Sequence, residues 1–188
     1  MRAVHGRAQS RPVRHDETVL PVAGSLVRAY RAGAGTELVL LHGGRPGGGS
    51  GGGPDAGSGG GSGGARQAWE PVWTILARHA RVTAPDLPGF GGTPTGGTVP
   101  TLTGYAAWLR TFLDACAIDR AALAGMSLGG GIALRAALDM PHRISRVAVC
   151  GRLDRRLDGV ACPVLVLSGA PCRVADELAA FLCTAKGR

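Results

Sequence analysis

Lysine is almost missing from this 188-residue chain: Lys186 stands alone against 20 arginines. So one-sided a choice of cation reads as coding bias rather than as a basic face built for a ligand. The arginines at 143, 146, 152, 155 and 156 are interrupted by Asp154 and Asp158, with no aromatic residue between them to stack on bases. That argues against a nucleic-acid partner. No apolar run approaches the ~20 residues that cross a bilayer, which excludes a membrane-spanning helix. The N-terminus lacks the apolar centre, about 7–15 residues long, of a secretory signal, so export is not expected. Cys116, Cys150, Cys162, Cys172 and Cys183 are odd in number and contain no Cys-x-x-Cys pair. Zinc-ribbon and dithiol-redox readings therefore lose their spacing signal. The thiols are expected to be reduced and mostly buried, in a cytoplasmic setting. Neither a metal nor a cofactor is implied.

Glycine is what the chain has in excess, with 32 residues, 12 of them between Gly47 and Gly64. Gly/Ser composition of that kind predicts a flexible coil at 47–64. The formal charge is +8, and Arg2, Arg7, Arg11 and Arg14 supply half of the excess. Residues 1–14 read as a disordered basic tail. Setting both stretches aside leaves roughly 155 residues, enough to bury a core. With 45% apolar residues, 15–188 is expected to form a single globular domain carrying the 47–64 insertion.

Apolar periodicity supplies the elements. Thr18 to Val22 and Ser25 to Tyr30 are β-prone and split by Ala23-Gly24, which predicts an opening hairpin. Glu37-Leu-Val-Leu-Leu41 reads as a buried strand running into His42-Gly43-Gly44. Trp69, Val72, Trp73 and Leu76 share one helix face within Ala65 to Ala80, with Pro71 expected in the first turn. Arg81 to Ala84 is a short strand stopped by Pro85, and Asp86-Leu-Pro-Gly-Phe-Gly91 is turn chemistry. A helix is expected over Thr103 to Ala117, capped by Thr101 or Thr103. Ala121 to Ala124, Ile144 to Val149 and Pro163 to Leu167 read as strands, and Ser127 to Met140 and Val174 to Thr184 as helices. This alternation predicts an α/β fold with a mainly parallel sheet.

Gly125-Met-Ser127-Leu-Gly129 fits Gly-x-Ser-x-Gly, in which a serine occupies a sharp strand-to-helix turn and glycines avoid collision with neighbouring backbone. The same pattern occurs at Gly48–Gly52 and Gly60–Gly64, where it is coil. Only Ser127 has an apolar strand before it and a helical segment, Ile132 to Leu138, after it. With this elbow, Leu38-Val-Leu-Leu-His-Gly-Gly44, Ala84-Pro-Asp-Leu-Pro-Gly-Phe-Gly91 and Cys162-Pro-Val-Leu-Val-Leu-Ser-Gly169 stand in an order that resembles the α/β-hydrolase superfamily. The likeness covers about residues 17 to 182. The loop from His42 to Gly47 is similar to that of the meta-cleavage-product carbon–carbon bond hydrolases.

The resemblance implies a mainly parallel sheet flanked by helices and acyl transfer at Ser127. Backbone N–H groups near Gly43 or Gly44 and of Leu128 would hold the oxyanion. The substrate would be a small carbonyl compound, either an ester or a ketone cleaved at the adjacent carbon–carbon bond. In such loops His42 has a structural role.

The resemblance also exposes departures. The triad should run Ser, acid, His along the chain. Only His142 follows Ser127, at the far end of its helix and roughly 20 Å away at ~1.5 Å per residue. Cys172 stands where the acid is usual; Asp154 is at an alternative acid position, and Asp176 reads better as an N-terminal helix charge. Gly151 to Cys162 has room for a loop only, so the lid is absent, and the chain is expected to stop short of the family's last strand and catalytic loop. An unpaired sheet edge would allow a homo-oligomer. Three readings follow: a serine hydrolase, a degenerate relative without turnover, and an interaction protein using the tail or the sheet edge.

Overall fold

The computed structural model describes residues 13–44, 64–151, 158–168 and 175–183. The tail before residue 13, most of the 47–64 stretch, Asp154 and Cys172 lie outside them.

One seven-stranded sheet organises the chain, in the order β1-β2-β4-β3-β5-β6-β7. Strands β1 (Asp16–Val22) and β2 (Ser25–Ala32) form the expected hairpin around Ala23-Gly24, and β2 runs antiparallel to β4 (Arg81–Pro85). Strand β3 (Glu37–Leu41) lies between β4 and β5 (Ala121–Met126), parallel to both. Beyond β5 come β6 (Ile144–Cys150) and β7 (Val164–Leu167), also parallel. Among the described residues no strand pairs with the outer side of β7. Pro85 does not stop β4 short: it closes the strand opposite Ala29, and the chain stays paired through Asp86 N–H to Arg28 O at 2.8 Å.

Among the described residues, four helices cover the two faces. Helices α2 (Leu102–Ala115) and α3 (Leu128–Asp139) pack on one, burying Tyr105, Leu109, Phe112 and Leu113 with Ile132 and Ala136 against Val39, Leu123 and Val147. Helices α1 (Ala65–Ala77) and α4 (Ala175–Cys183) pack on the other, where Trp69, Val72, Trp73 and Leu76 meet Leu40, Ala84, Ala124 and Leu178. Each such large side chain removed from water contributes roughly 1.5–3 kcal/mol before entropy is counted. Thr101, not Thr103, caps α2: its hydroxyl oxygen accepts the Gly104 N–H at 3.1 Å.

Pro71 corrects a sequence expectation. Because α1 begins at Ala65, Pro71 lies inside the helix and not in its first turn. Its missing N–H leaves the Gln67 carbonyl without a helical partner, but Pro71 and Gln67 are both on the exposed face, where solvent replaces the bond. The buried Trp69–Leu76 stripe holds the helix through it. Among the described residues no helix is long and apolar enough to cross a membrane.

Candidate active site

The strand order reverses at β3 and β5. The chain leaves β3 toward β4 on one side and leaves β5 toward β6 on the other, so their carboxyl ends open onto a crevice, where open α/β sheets hold ligands. Leu41 pairs with Gly125 in register. Two residues on from each of these are Gly43 and Ser127, which the parallel pairing therefore sets side by side. A Cβ on Gly43 would lie 3.2 Å from Ser127 Cβ and 3.1 Å from Met126 O. Only hydrogen at that position leaves the approach relaxed.

Ser127 has φ 48° and ψ −113°, a left-handed conformation that a side chain rarely adopts. Such strain persists only where the surroundings impose it. Here the surroundings are the close approach of α3 to β5 and β3. A Cβ at Gly125 would stand 2.2 Å from Gly129 O, and one at Gly129 would stand 2.1 Å from Leu41 O. The Ser127 side chain is exposed, and its carbonyl accepts the Gly131 N–H at 3.1 Å. The first N–H groups of α3, beginning with Leu128, lack helical acceptors and face the same end as Gly43. A developing negative charge beside Ser127 would meet these donors and the positive end of the α3 dipole.

His42 and Asp86 tie this region to the turn after β4. His42 is fully buried, and its Nε2 accepts the Leu87 N–H at 3.0 Å. Nδ1 must then carry the proton, which it donates to Gly43 O at 2.8 Å. The ring is packed edge-on to Phe90, with centroids 5.2 Å apart. Burial pushes the His42 pKa below its ordinary value; the bond to Gly43 O and the charge of Asp86 oppose this only in part. With both nitrogens engaged, the neutral imidazole holds the loop and has no free lone pair for proton abstraction. Asp86 is 1% exposed and accepts two backbone N–H groups at 2.7 Å, from Ala65 on Oδ1 and from Gly92 on Oδ2. Sequence reasoning took Asp86 only as a turn residue. The available signal was its place as a lone carboxylate between an apolar strand and a turn with glycines at 89, 91 and 92.

The structure thus brings Gly43, Ser127 and Leu128 to one place, with Gly44 beside them. Asp154 lies outside the described residues. His142 is exposed beyond the far end of α3, and His79 is exposed after α1. Among the described residues no side chain hydrogen-bonds to Ser127. Asp176 is exposed in the first turn of α4, where its charge favours the helix dipole.

Residues 37–160 match the family model described as alpha/beta hydrolase fold. The chain belongs to that family. A 2-hydroxy-6-oxo-2,4-heptadienoate hydrolase of Pseudomonas putida is 36% identical over 65% of this chain and 39% of its own length. A 2-hydroxymuconate semialdehyde hydrolase of a Pseudomonas species is 33% identical over 76% of this chain and 44% of its own length. The chain therefore spans about two fifths of these curated relatives. Among solved structures, a meta-cleavage product hydrolase from Pseudomonas fluorescens is similar with a TM-score of 0.59 at 27% identity, over 73% of this chain and 47% of that one. A Bacillus subtilis carboxylesterase shares the fold with a TM-score of 0.61 at 22% identity, over 74% of this chain and 44% of that one.

Proposed function

We propose that this alpha/beta hydrolase family member is a serine hydrolase that takes an acyl group onto Ser127. The substrate is a small carbonyl compound, an ester or a ketone with a cleavable adjacent carbon–carbon bond. The observation that carries the reading is the convergence on a strained, exposed Ser127 of the Gly43 backbone and the α3 N-terminus. Attack by Ser127 Oγ on a carbonyl carbon, with its proton released to water, would turn the carbonyl oxygen into an oxyanion among the N–H groups of Leu128 and of Gly43 or Gly44. Breaking the bond to the alcohol oxygen or the adjacent carbon, which leaves protonated, would give the acyl-serine. Fixed donors of that kind are worth about 10²–10³ in rate each. The names of the relatives support the substrate class, since they describe hydrolases of oxo-dienoate compounds; another relative, 39% identical over 45% of this chain, is a methyl ester esterase from Aromatoleum aromaticum.

A second reading, a relative that binds carbonyl ligands without turnover, is favoured by the lack of a hydrogen-bonding base at Ser127 among the described residues. Asp154 remains the candidate acid. The deciding experiment uses a fluorophosphonate probe and p-nitrophenyl acetate on folded wild type and Ser127→Ala. The first reading expects a phosphonate adduct on the Ser127 peptide and ester hydrolysis, both lost in the variant. Hydrolysis that is equal in the two proteins, or no adduct on folded wild type, overturns it. An adduct without hydrolysis above background leaves the second reading.

A further inference from the structure

The loop that leaves β3 and the first residue of α1 are held by two consecutive residues of the β4 turn, Leu87 and Asp86. On the outgoing side, the Leu87 N–H is donated to His42 Nε2, and His42 in turn holds Gly43 O. On the returning side, the N–H of Ala65, the first residue of α1, is donated to Asp86 Oδ1. The second carboxylate oxygen takes the Gly92 N–H and closes the turn upon itself. Asp86 forms no ion pair among the described residues, so what offsets its burial is these two charge-assisted bonds and the positive end of α1. The space around the carboxylate is filled. A Cβ at Gly64 would lie 2.0 Å from Oδ1, and one at Gly91 would lie 2.1 Å from Oδ2.

We infer that Asp86 is a positioning residue for the Gly43–Gly44 loop. It fixes where α1 starts and, through Leu87 and His42, sets how closely Gly43 approaches Ser127, so that this placement does not depend on the length of the glycine-rich tract. Gly64, the last glycine of the tract, has a role of its own as the wall of the Asp86 site. The inference rests on the proposed function only in its rate consequence; the clamp itself is geometric.

The test compares wild type, Asp86→Asn, Asp86→Ala and a chain lacking residues 48–61. It reads the kinetics of Ser127 phosphonylation and the hydrogen exchange of the Leu87 amide relative to that of Leu123 in β5. Asn keeps the shape of Asp but can accept from only one of the two amides. Asp86→Asn is expected to lower the maximal phosphonylation rate about tenfold, with probe affinity unchanged within about twofold, a fraction of what losing a donor outright costs. Its Leu87 amide should exchange at least about tenfold faster relative to Leu123, the signature of local opening and not of global unfolding. The shortened chain is expected to match wild type in both readouts. Wild-type kinetics in folded Asp86→Asn, or a shortened chain as impaired as Asp86→Asn, overturns the inference. Should Asp86→Ala fail to fold, the isosteric Asp86→Asn carries the test. Should wild type take no label, the proposed function falls, and Leu87 exchange alone decides: exchange unchanged in Asp86→Asn overturns the clamp.

Discussion

At the scale of single residues, the polar groups near Ser127 are spent on holding backbone. His42 shows how this couples to pH. Its pKa in the folded protein lies below the ordinary value of about 6.5 that applies to the unfolded chain. The unfolded state therefore binds more protons between those two values, and stability falls as pH drops. The contribution is complete above about 6.5 and is lost on descending through the folded value, because a protonated Nε2 would confront the Leu87 N–H. The melting temperature of wild type is expected to fall more steeply between pH 7 and 5 than that of His42→Gln; parallel curves would refute this role. Gly-x-Ser-x-Gly made Ser127 legible in the sequence because the elbow's steric demand is local. Asp86 was not legible as a buried anchor, because its partner Ala65 reaches it only through the tertiary fold. Burial pushes the Cys150 thiol up to about 11; the sequence reading expected mostly buried thiols, and among the described cysteines Cys150 is buried while Cys116 and Cys162 are half-buried.

At the scale of elements, Gly129-Gly130-Gly131 follow Leu128 in the first turn of α3, and each glycine costs up to roughly 0.8–1 kcal/mol against alanine, the value for a helix interior. The three are not equivalent. A methyl at Gly129 would strike the Leu41 carbonyl at 2.1 Å, whereas one at Gly131 would meet the flexible end of Leu102 at 3.0 Å. Gly131→Ala is expected to be neutral to stabilising by up to ~1 kcal/mol, and Gly129→Ala to destabilise by at least ~2 kcal/mol. Urea denaturation with an unchanged slope would measure both; equal effects would contradict the packing described. Periodicity in the sequence located α1, α2 and α4, whose buried residues are spaced as one face, while the Gly-x-Ser-x-Gly turn pointed to α3. Their ends were less readable. Ser127 belongs to the turn, not to α3; the start of α1 at Ala65 agrees with the sequence reading, but from that start Pro71 falls inside the helix and beyond its first turn.

At the scale of the whole molecule, a formal charge of +8 opposes compaction, while ion pairs such as Arg28–Glu17, Arg81–Glu37 and Arg143–Asp114 are partly exposed and each worth about 0–1 kcal/mol. Screening should weaken the net repulsion more than the pairs. The melting temperature is expected to rise between 20 and 200 mM sodium chloride, as the Debye length shortens through ~10 Å; a fall would mean that the pairs dominate. The α/β class was legible from the alternation of short apolar runs with helical stripes. The strand order was not legible, since periodicity carries no pairing information and the resemblance implied only a mainly parallel sheet. That order bears on how the chain is born. Strand β3 has no local partner: β5 is made roughly 80 residues later, and even β4, its other neighbour, comes roughly 44 residues later, which at ~5–20 residues per second is roughly 2–9 s of synthesis. Through that interval Leu38–Leu41 emerges from the ribosome as an unpaired apolar strand, the point in the life of this protein at which a chaperone has most to cover.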